Sequence, residues 1–253
     1  MILREERSED RVLELTLNRP EKLNALNVPI LEALREAQAK ALEDPEVRAI
    51  LLRGAGPTFC AGADLEHVEA MHVDRPTSRT YLNLLREVIV GFERMPQPVI
   101  GALHGHVLAG GLELALGCDV LVAARSCRIG DQHMRRGFIP GGGNTQRIPR
   151  LVGPLRAMDL LLSGRWLDAT EACQIGLVSR VADDGEEVKL AREIAAEVAA
   201  KSPQAVREVK RLTRLATEAP LAEGLQAEIE SVMAYYPSPD FTAALRTFFD
   251  RAR

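Results

Sequence analysis

One carboxylate stands alone among apolar neighbours: Glu113 is the only charge in residues 112–116, flanked by Leu112, Leu114, Ala115 and Leu116. An ionised carboxylate in such surroundings is costly unless it is hydrogen-bonded, paired or kept for proton transfer. The pair Gly110-Gly111 precedes it, in a position to open a short helix directly after an apolar strand. The first N–H groups of a helix have no partner within it and can hold an anion, or an oxygen on which negative charge develops. Glu113 lies three residues beyond Gly110, so its carboxylate falls about one turn along on the same face. Two uses fit this pattern: an acid–base group beside an anion-holding amide, or a structural carboxylate capping a nearby N–H.

A second run of small residues, Cys60-Ala61-Gly62-Ala63, sits in FCAGADL (59–65). Small side chains let a ligand approach the backbone closely, and Gly62 permits a dihedral that turns the following N–H outward. A plain turn needing small residues reads the same way. Other chemistries find less support. His104, His106, Asp131 and His133 form an H-x-H and a D-x-H pair without a reinforcing third motif, so no metal site is expected. No G-x-S-x-G elbow is present, and the glycines at 141–143 lack the Gly-Lys-Ser/Thr of a phosphate loop, reading instead as a turn against the site wall. Cys60, Cys118, Cys127 and Cys173 form no C-x-x-C pair and read as small buried hydrophobes.

The elements that must position these residues alternate. Residues 12–18 place Leu13, Leu15 and Leu17 opposite Glu14, Thr16 and Asn18, the pattern of a strand with one buried face. Further strands are expected at 47–52, 99–103 and 120–124, and amphipathic helices at 29–43 and 81–95. Residues 66–79 are polar and poorly periodic and read as a mobile loop. From residue 153 onward helical patterns dominate (155–162, 169–175, 186–200, 203–216, 221–234 and 239–253), with one strand at 178–181. The expected class is α/β with much parallel pairing, divided into a core at 1–195 and a C-terminal helical region at 196–253. In the last helix Phe241, Leu245, Phe248 and Phe249 make an apolar stripe that needs covering, which predicts a homo-oligomer.

Composition sets the outer limits. Hydrophobic residues make up 46% and charged residues 27% of 253, with a formal charge of −4. That balance leaves no electrostatic footprint for nucleic acid or an anionic membrane surface. No apolar run approaches the roughly 20 residues that cross a bilayer. The charged start MILREERSED has no apolar signal core, which makes the expected location cytoplasmic.

Four motifs in order, NRPEKLNALN (18–27), FCAGADL (59–65), VLAGGLELALGCD (107–119) and IPGGGNTQR (139–147), resemble the enoyl-CoA hydratase/isomerase (crotonase) superfamily over nearly the whole chain. The resemblance implies a crotonase-like spiral of ββα units with a C-terminal helical oligomerisation region, assembled as a homotrimer or a dimer of trimers. It implies an acyl-CoA substrate and no cofactor beyond the coenzyme A that the substrate carries. It assigns the oxyanion-hole amides to Ala63 and Gly110, and the coenzyme A path to Lys22, Ala25, Leu26, Ala61, Asp64 and Leu65. Hydratases of the family use two glutamates, and Glu113 matches the first. The second family position, counted from Gly130 or from Pro140, is His133 here. A histidine titrates near neutrality and can do acid–base work. Arg135 and Arg136 read as lining a subunit contact. Hydration of a 2-enoyl-CoA is the leading activity. Isomerisation or another enolate reaction such as decarboxylation, or acyl-CoA binding without catalysis, are the alternatives that the histidine leaves open.

Overall fold

The computed structural model describes residues 1–251. In chain order it runs β1 (Leu3–Arg7), β2 (Val12–Leu17), α1 (Val28–Glu43), β3 (Ala49–Gly54), α2 (Leu65–Met71), α3 (Arg75–Arg94), β4 (Val99–Leu103), β5 (His106–Leu108), α4 (Gly110–Ala115), β6 (Val120–Ala124) and β7 (Arg128–Gly130). There follow α5 (Asn144–Val152), α6 (Pro154–Ser163), β8 (Leu167–Asp168), α7 (Ala169–Gln174), β9 (Arg180–Ala182), α8 (Glu187–Ala199), α9 (Pro203–Leu215), α10 (Leu221–Tyr235) and α11 (Pro239–Arg251). The expected helix at 239–253 ends in residues 252 and 253, which lie outside the described ones.

Two sheets share the strands. The larger has the order β1-β2-β3-β4-β6-β9, antiparallel at β1/β2 and parallel from β2 onward. The smaller has the order β5-β7-β8 and is widened by single bridges, Cys60 to Val107 and Leu26 to Ala63. Along the middle of the chain a strand of the large sheet is followed by an extended stretch in the small one and then a helix. Each such turn advances both sheets by one position. This is the ββα repeat that the resemblance implied, and it stacks the two glycine turns on each other.

Within the large sheet successive side chains enter different cores. Leu15, Ile50, Leu52, Val99, Leu103, Leu121 and Ala123 face the main core with α1 and α3. Val12, Ala49, Leu51, Ile100, Ala102 and Val122 face a smaller core closed by Ala191, Ile194, Ala195 and Ala199 of α8. Both faces are therefore covered, which is why β3, β4 and β6 read as near-continuous apolar runs.

The structure departs from the sequence reading in four places. Strand β2 is buried along its whole length, not on one face: α8 covers the other side, and Glu14 there is paired with Arg53 and, at 2.8 Å, with Arg192. Alternation along one strand reports polarity, and an ion pair can satisfy a polar residue under cover as well as water can. Residues 66–79 are not a loop but α2 and the first turn of α3, led by Asp64 and Asp74 at the helix starts. Only Met71 of α2 is buried, too little for periodicity to register. The short strands β1, β5, β7 and β8 were not anticipated. β1 is an edge strand with four exposed charged residues, and the others span three residues or fewer. Finally, α8 runs past the boundary read at residue 195 and belongs with the body through Ala199.

Candidate active site

The turn that follows β3 is fastened along both edges. On one side Cys60 N–H donates to His106 O (3.2 Å) and Leu108 N–H to Cys60 O (3.1 Å). On the other, Leu26 N–H donates to Gly62 O (2.8 Å), Asp64 N–H to Leu26 O (2.9 Å) and Ala61 N–H to Leu23 O (3.0 Å). Gly62 itself has φ +111°, a conformation that side chains other than hydrogen rarely adopt. The peptide carrying the Ala63 N–H is thereby fixed in direction by a residue type that the local geometry requires.

The facing turn, between β5 and α4, holds a strained residue. Ala109 has φ +47° and ψ −116°, outside the regions favoured for L-residues. It is pinned by its N–H to Gly130 O (3.0 Å), and its carbonyl accepts from Glu113 N–H (3.0 Å) and Asn144 Nδ2 (3.3 Å). This dihedral sets the direction of the next N–H, that of Gly110. The two turns nearly touch. A Cβ added at Gly110 would stand 3.2 Å from Ala63 N, and one added at Gly62 would stand 3.3 Å from Gly110 N. Among the described residues neither the Ala63 nor the Gly110 N–H is used within the chain. Two fixed, convergent donors of this kind stabilise an oxygen that gains negative charge more than they stabilise a neutral carbonyl.

Glu113 is 1% exposed, the third residue after Gly110 on α4. Its Oε1 accepts from Gly142 N–H (2.7 Å) in the loop before α5 and from the N–H of Asn144 (3.3 Å), the first residue of α5. The capping of a nearby amide that the sequence allowed is thus present, but it uses one oxygen of the carboxylate. Burial raises the Glu113 pKa above the ordinary carboxylate value, and the charge of His133 and the two amide bonds offset this only in part. The Gly142 loop is held from behind: Arg147 donates to Gly142 O (2.7 Å) and grips Glu93 with two hydrogen bonds, at 2.6 and 2.9 Å.

His133, on the short helical turn after β7, is partly buried with Nδ1 3.0 Å from Asp131 Oδ1. Burial opposes its charge, yet the hydrogen bond and charge of Asp131, together with the charge of Glu113, raise its pKa above the ordinary imidazole value. Glu113 and His133 act on each other electrostatically across the site and are linked through Asn144. Asp131, Asn144 and Gly142 belong to the site without having been singled out as site residues. All three stand inside stretches that drew attention, but nothing in their types marks them as its hydrogen-bonding frame.

The remaining assigned residues form one wall. Lys22, on the short turn at Pro20–Lys22, reaches Glu66 Oε1 at 2.6 Å, and Asp64 is buried and paired with Arg19 at 3.0 Å. Leu65 is half-exposed, while Ala25 and Ala61 are partly open. Leu26 is sealed, its N–H given to Gly62 O and its carbonyl taken by Asp64 N–H and Tyr81 Oη (3.0 Å). It supports the turn from behind and offers no open atom. His104 and His106 take partners apart from the Asp131–His133 pair: His104 Nε2 faces Gly56 O at 2.9 Å, and His106 packs against Trp166. Burial pushes the Cys60 and Cys127 thiols up to about 12, which suits packing and not nucleophilic attack. A cleft of about 1380 Å³ lies between α9 and the body, lined on one side by Gly141, Gly142 and Gly143 of the loop that holds Glu113 and on the other by Lys210 and Arg214, which meet Asp119 at 2.7 Å each.

A family model described as enoyl-CoA hydratase/isomerase matches residues 7–253. An enoyl-CoA isomerase/hydratase of Mycosarcoma maydis is 36% identical over 246 residues, covering 94% of this chain and 89% of that protein. A short-chain-enoyl-CoA hydratase of Clostridium acetobutylicum is 33% identical over 246 residues, covering 97% and 94%. The crystal structure of an enoyl-CoA hydratase from Bacillus anthracis superposes with a TM-score of 0.95 at 34% identity, covering 99% of this chain and 97% of that one.

Proposed function

The chain belongs to the enoyl-CoA hydratase/isomerase family, and from that premise we propose that it adds water across the double bond of a 2-enoyl-CoA with Glu113 and His133 as its acid–base pair. One observation carries the proposal: Glu113 stands one helical turn beyond the Gly110 amide that pairs with that of Ala63, His133 acts on it electrostatically, and each of the two pKa values is raised above its ordinary value. The thioester carbonyl accepts from both amides. Glu113, with one oxygen held by the loop, takes a proton from water as the water attacks Cβ. His133, charged, gives its proton to Cα as the enolate collapses. The coenzyme A moiety lies along Lys22, Ala25, Ala61 and Leu65, with Leu26 and Asp64 shaping the wall beneath it. The reaction needs no cofactor other than the coenzyme A of the substrate.

The pair works only while it shares one proton. A kcat/KM profile against pH should be bell-shaped. Its acid limb should lie above the ordinary carboxylate value, because Glu113 must be ionised and its pKa is raised. Its alkaline limb should lie above the ordinary imidazole value, because His133 must be charged and its pKa is raised too. Crotonyl-CoA is the first substrate to try, on the strength of the short-chain clostridial relative. Incorporation of ¹⁸O from labelled water into 3-hydroxybutyryl-CoA, read by mass spectrometry, tests hydration directly. Turnover that is flat from about pH 5 to about pH 9 would sink the pair.

The acting form is a homotrimer or a dimer of trimers in the cytoplasm. Leu221, Leu225 and Ile229 on α10, and Phe248 and Phe249 on α11, are all more than half exposed, an apolar surface that a second copy would cover. Four free cysteines suit a reducing compartment. Sedimentation at micromolar protein should give three or six times the chain mass, and a monomer would overturn the assembly.

A further inference from the structure

We infer that Asp131 is the positioning residue for His133: it holds the Nδ1 proton permanently, so that the proton given to substrate leaves from Nε2 and returns there. The inference rests on the hydratase reading and adds what the histidine needs to stand where a glutamate stands in hydratases of the family. A glutamate offers two equivalent oxygens, whereas an imidazole has two distinct nitrogens and serves in one tautomer only.

Asp131 is built for this. It is 2% exposed and accepts from three donors: His133 Nδ1 at 3.0 Å, the His133 backbone N–H at 3.3 Å, and Asn144 Nδ2 at 2.6 Å. Asn144 is itself fully buried, and the other partner of its Nδ2 is the carbonyl of Ala109, also an acceptor, which settles the amide's orientation. Because Asp131 faces Nδ1 with an oxygen already held by an amide, Nδ1 is the nitrogen that carries hydrogen. His133 Nε2 makes no hydrogen bond among the described residues and is not among the sealed polar atoms. The same Asn144 donates its backbone N–H to Glu113. One buried asparagine therefore ties together the strained turn at Ala109 and the carboxylate behind His133, through its side chain, and the carboxylate of Glu113, through its backbone.

In hydration the imidazolium breaks its Nε2–H bond, the electron pair stays on Nε2, and the proton forms the new Cα–H bond. Nδ1–H remains on Asp131. After product leaves, Nε2 takes up one proton from solvent and Glu113 releases the one that it took from water, so the enzyme returns to its starting state.

Two measurements test the role. In ¹⁵N-histidine-labelled protein above the His133 titration, Nδ1 should be the protonated nitrogen and Nε2 the bare one. A wild-type His133 protonated at Nε2 instead overturns the inference without any variant. In Asp131→Asn the tautomers should mix, the alkaline limb of the pH profile should move to lower pH, and turnover should fall by about 10²-fold or more, as when an amide replaces the carboxylate behind a catalytic histidine. Asp131→Glu should restore part of the rate and return the limb toward its wild-type position. A merely structural Asp131 would shift neither tautomer nor limb. His133→Ala separates the failures: unchanged turnover there defeats the hydratase pair itself. A large loss there, with Asp131→Asn normal in rate and pH limb, defeats only the role of Asp131.

Discussion

Glu113→Gln is expected to lower turnover by about 10²–10⁴-fold, the range for loss of a positioned acid–base group, while fold and thioester binding persist. A glutamine oxygen can still accept from Gly142 N–H and Asn144 N–H, so the loop before α5 keeps its anchor. What disappears is the basic second oxygen. The sign of the stability change is also set. The folded pKa of Glu113 is raised, so the group stabilises the fold while protonated, below the ordinary carboxylate value. That contribution is lost as pH rises through the elevated pKa, above which a buried charge remains. Neutral glutamine should therefore be at least as stable as wild type at pH values above the acid limb of the activity profile, read as a melting midpoint by calorimetry. Wild-type turnover in Glu113→Gln, on the substrate that the enzyme is found to use, would falsify the assignment of Glu113.

Gly110→Val should be of similar or greater effect, through the backbone. The first atom of any side chain here lands 3.2 Å from Ala63 N and 3.4 Å from the Gly62 carbonyl carbon. Valine would add two more carbons to a gap whose walls are the two amides themselves. A thioester oxygen could then reach neither donor. Loss of one such donor costs about 10²–10³-fold in turnover, and both are obstructed here. Gly110→Ala sets a milder obstruction beside it, in contact but without the branch. Far-ultraviolet circular dichroism distinguishes a blocked site from a lost fold. A folded Gly110→Val protein with wild-type kcat on crotonyl-CoA would remove Ala63 and Gly110 from the mechanism.

Much of the site was legible in the residues. Glu113 announced itself because a lone carboxylate in an apolar run is costly, and the Gly110 pair before it marked a place where backbone must stay bare. The order of the four motifs carried the family, the spiral and the identity of both turns. The parallel sheet showed in its strands because burial on two faces leaves few polar residues. His133 was found only by counting from Gly130 and Pro140, since nothing about an isolated histidine distinguishes an acid–base group from surface.

The tertiary structure alone decided what each of these groups touches. Glu113 is held by residues 29 and 31 positions away, and Lys210 of α9 bonds Phe92 O across 118 positions. Such pairs arise when the spiral closes, and no local preference encodes them. Periodicity tells which side of an element is covered but not what covers it, which is why the α8 roof over Glu14 and the helical nature of residues 66–79 escaped the reading. The strained dihedral of Ala109 has no signal in its residue type, because alanine tolerates it only where Gly130, Asn144 and Glu113 all hold the turn. Residue types determined which chemistry this chain can hold. Chain closure determined which amide, which carboxylate and which nitrogen of the imidazole face one another, because hydrogen-bond geometry belongs to pairs of distant atoms and not to either partner alone.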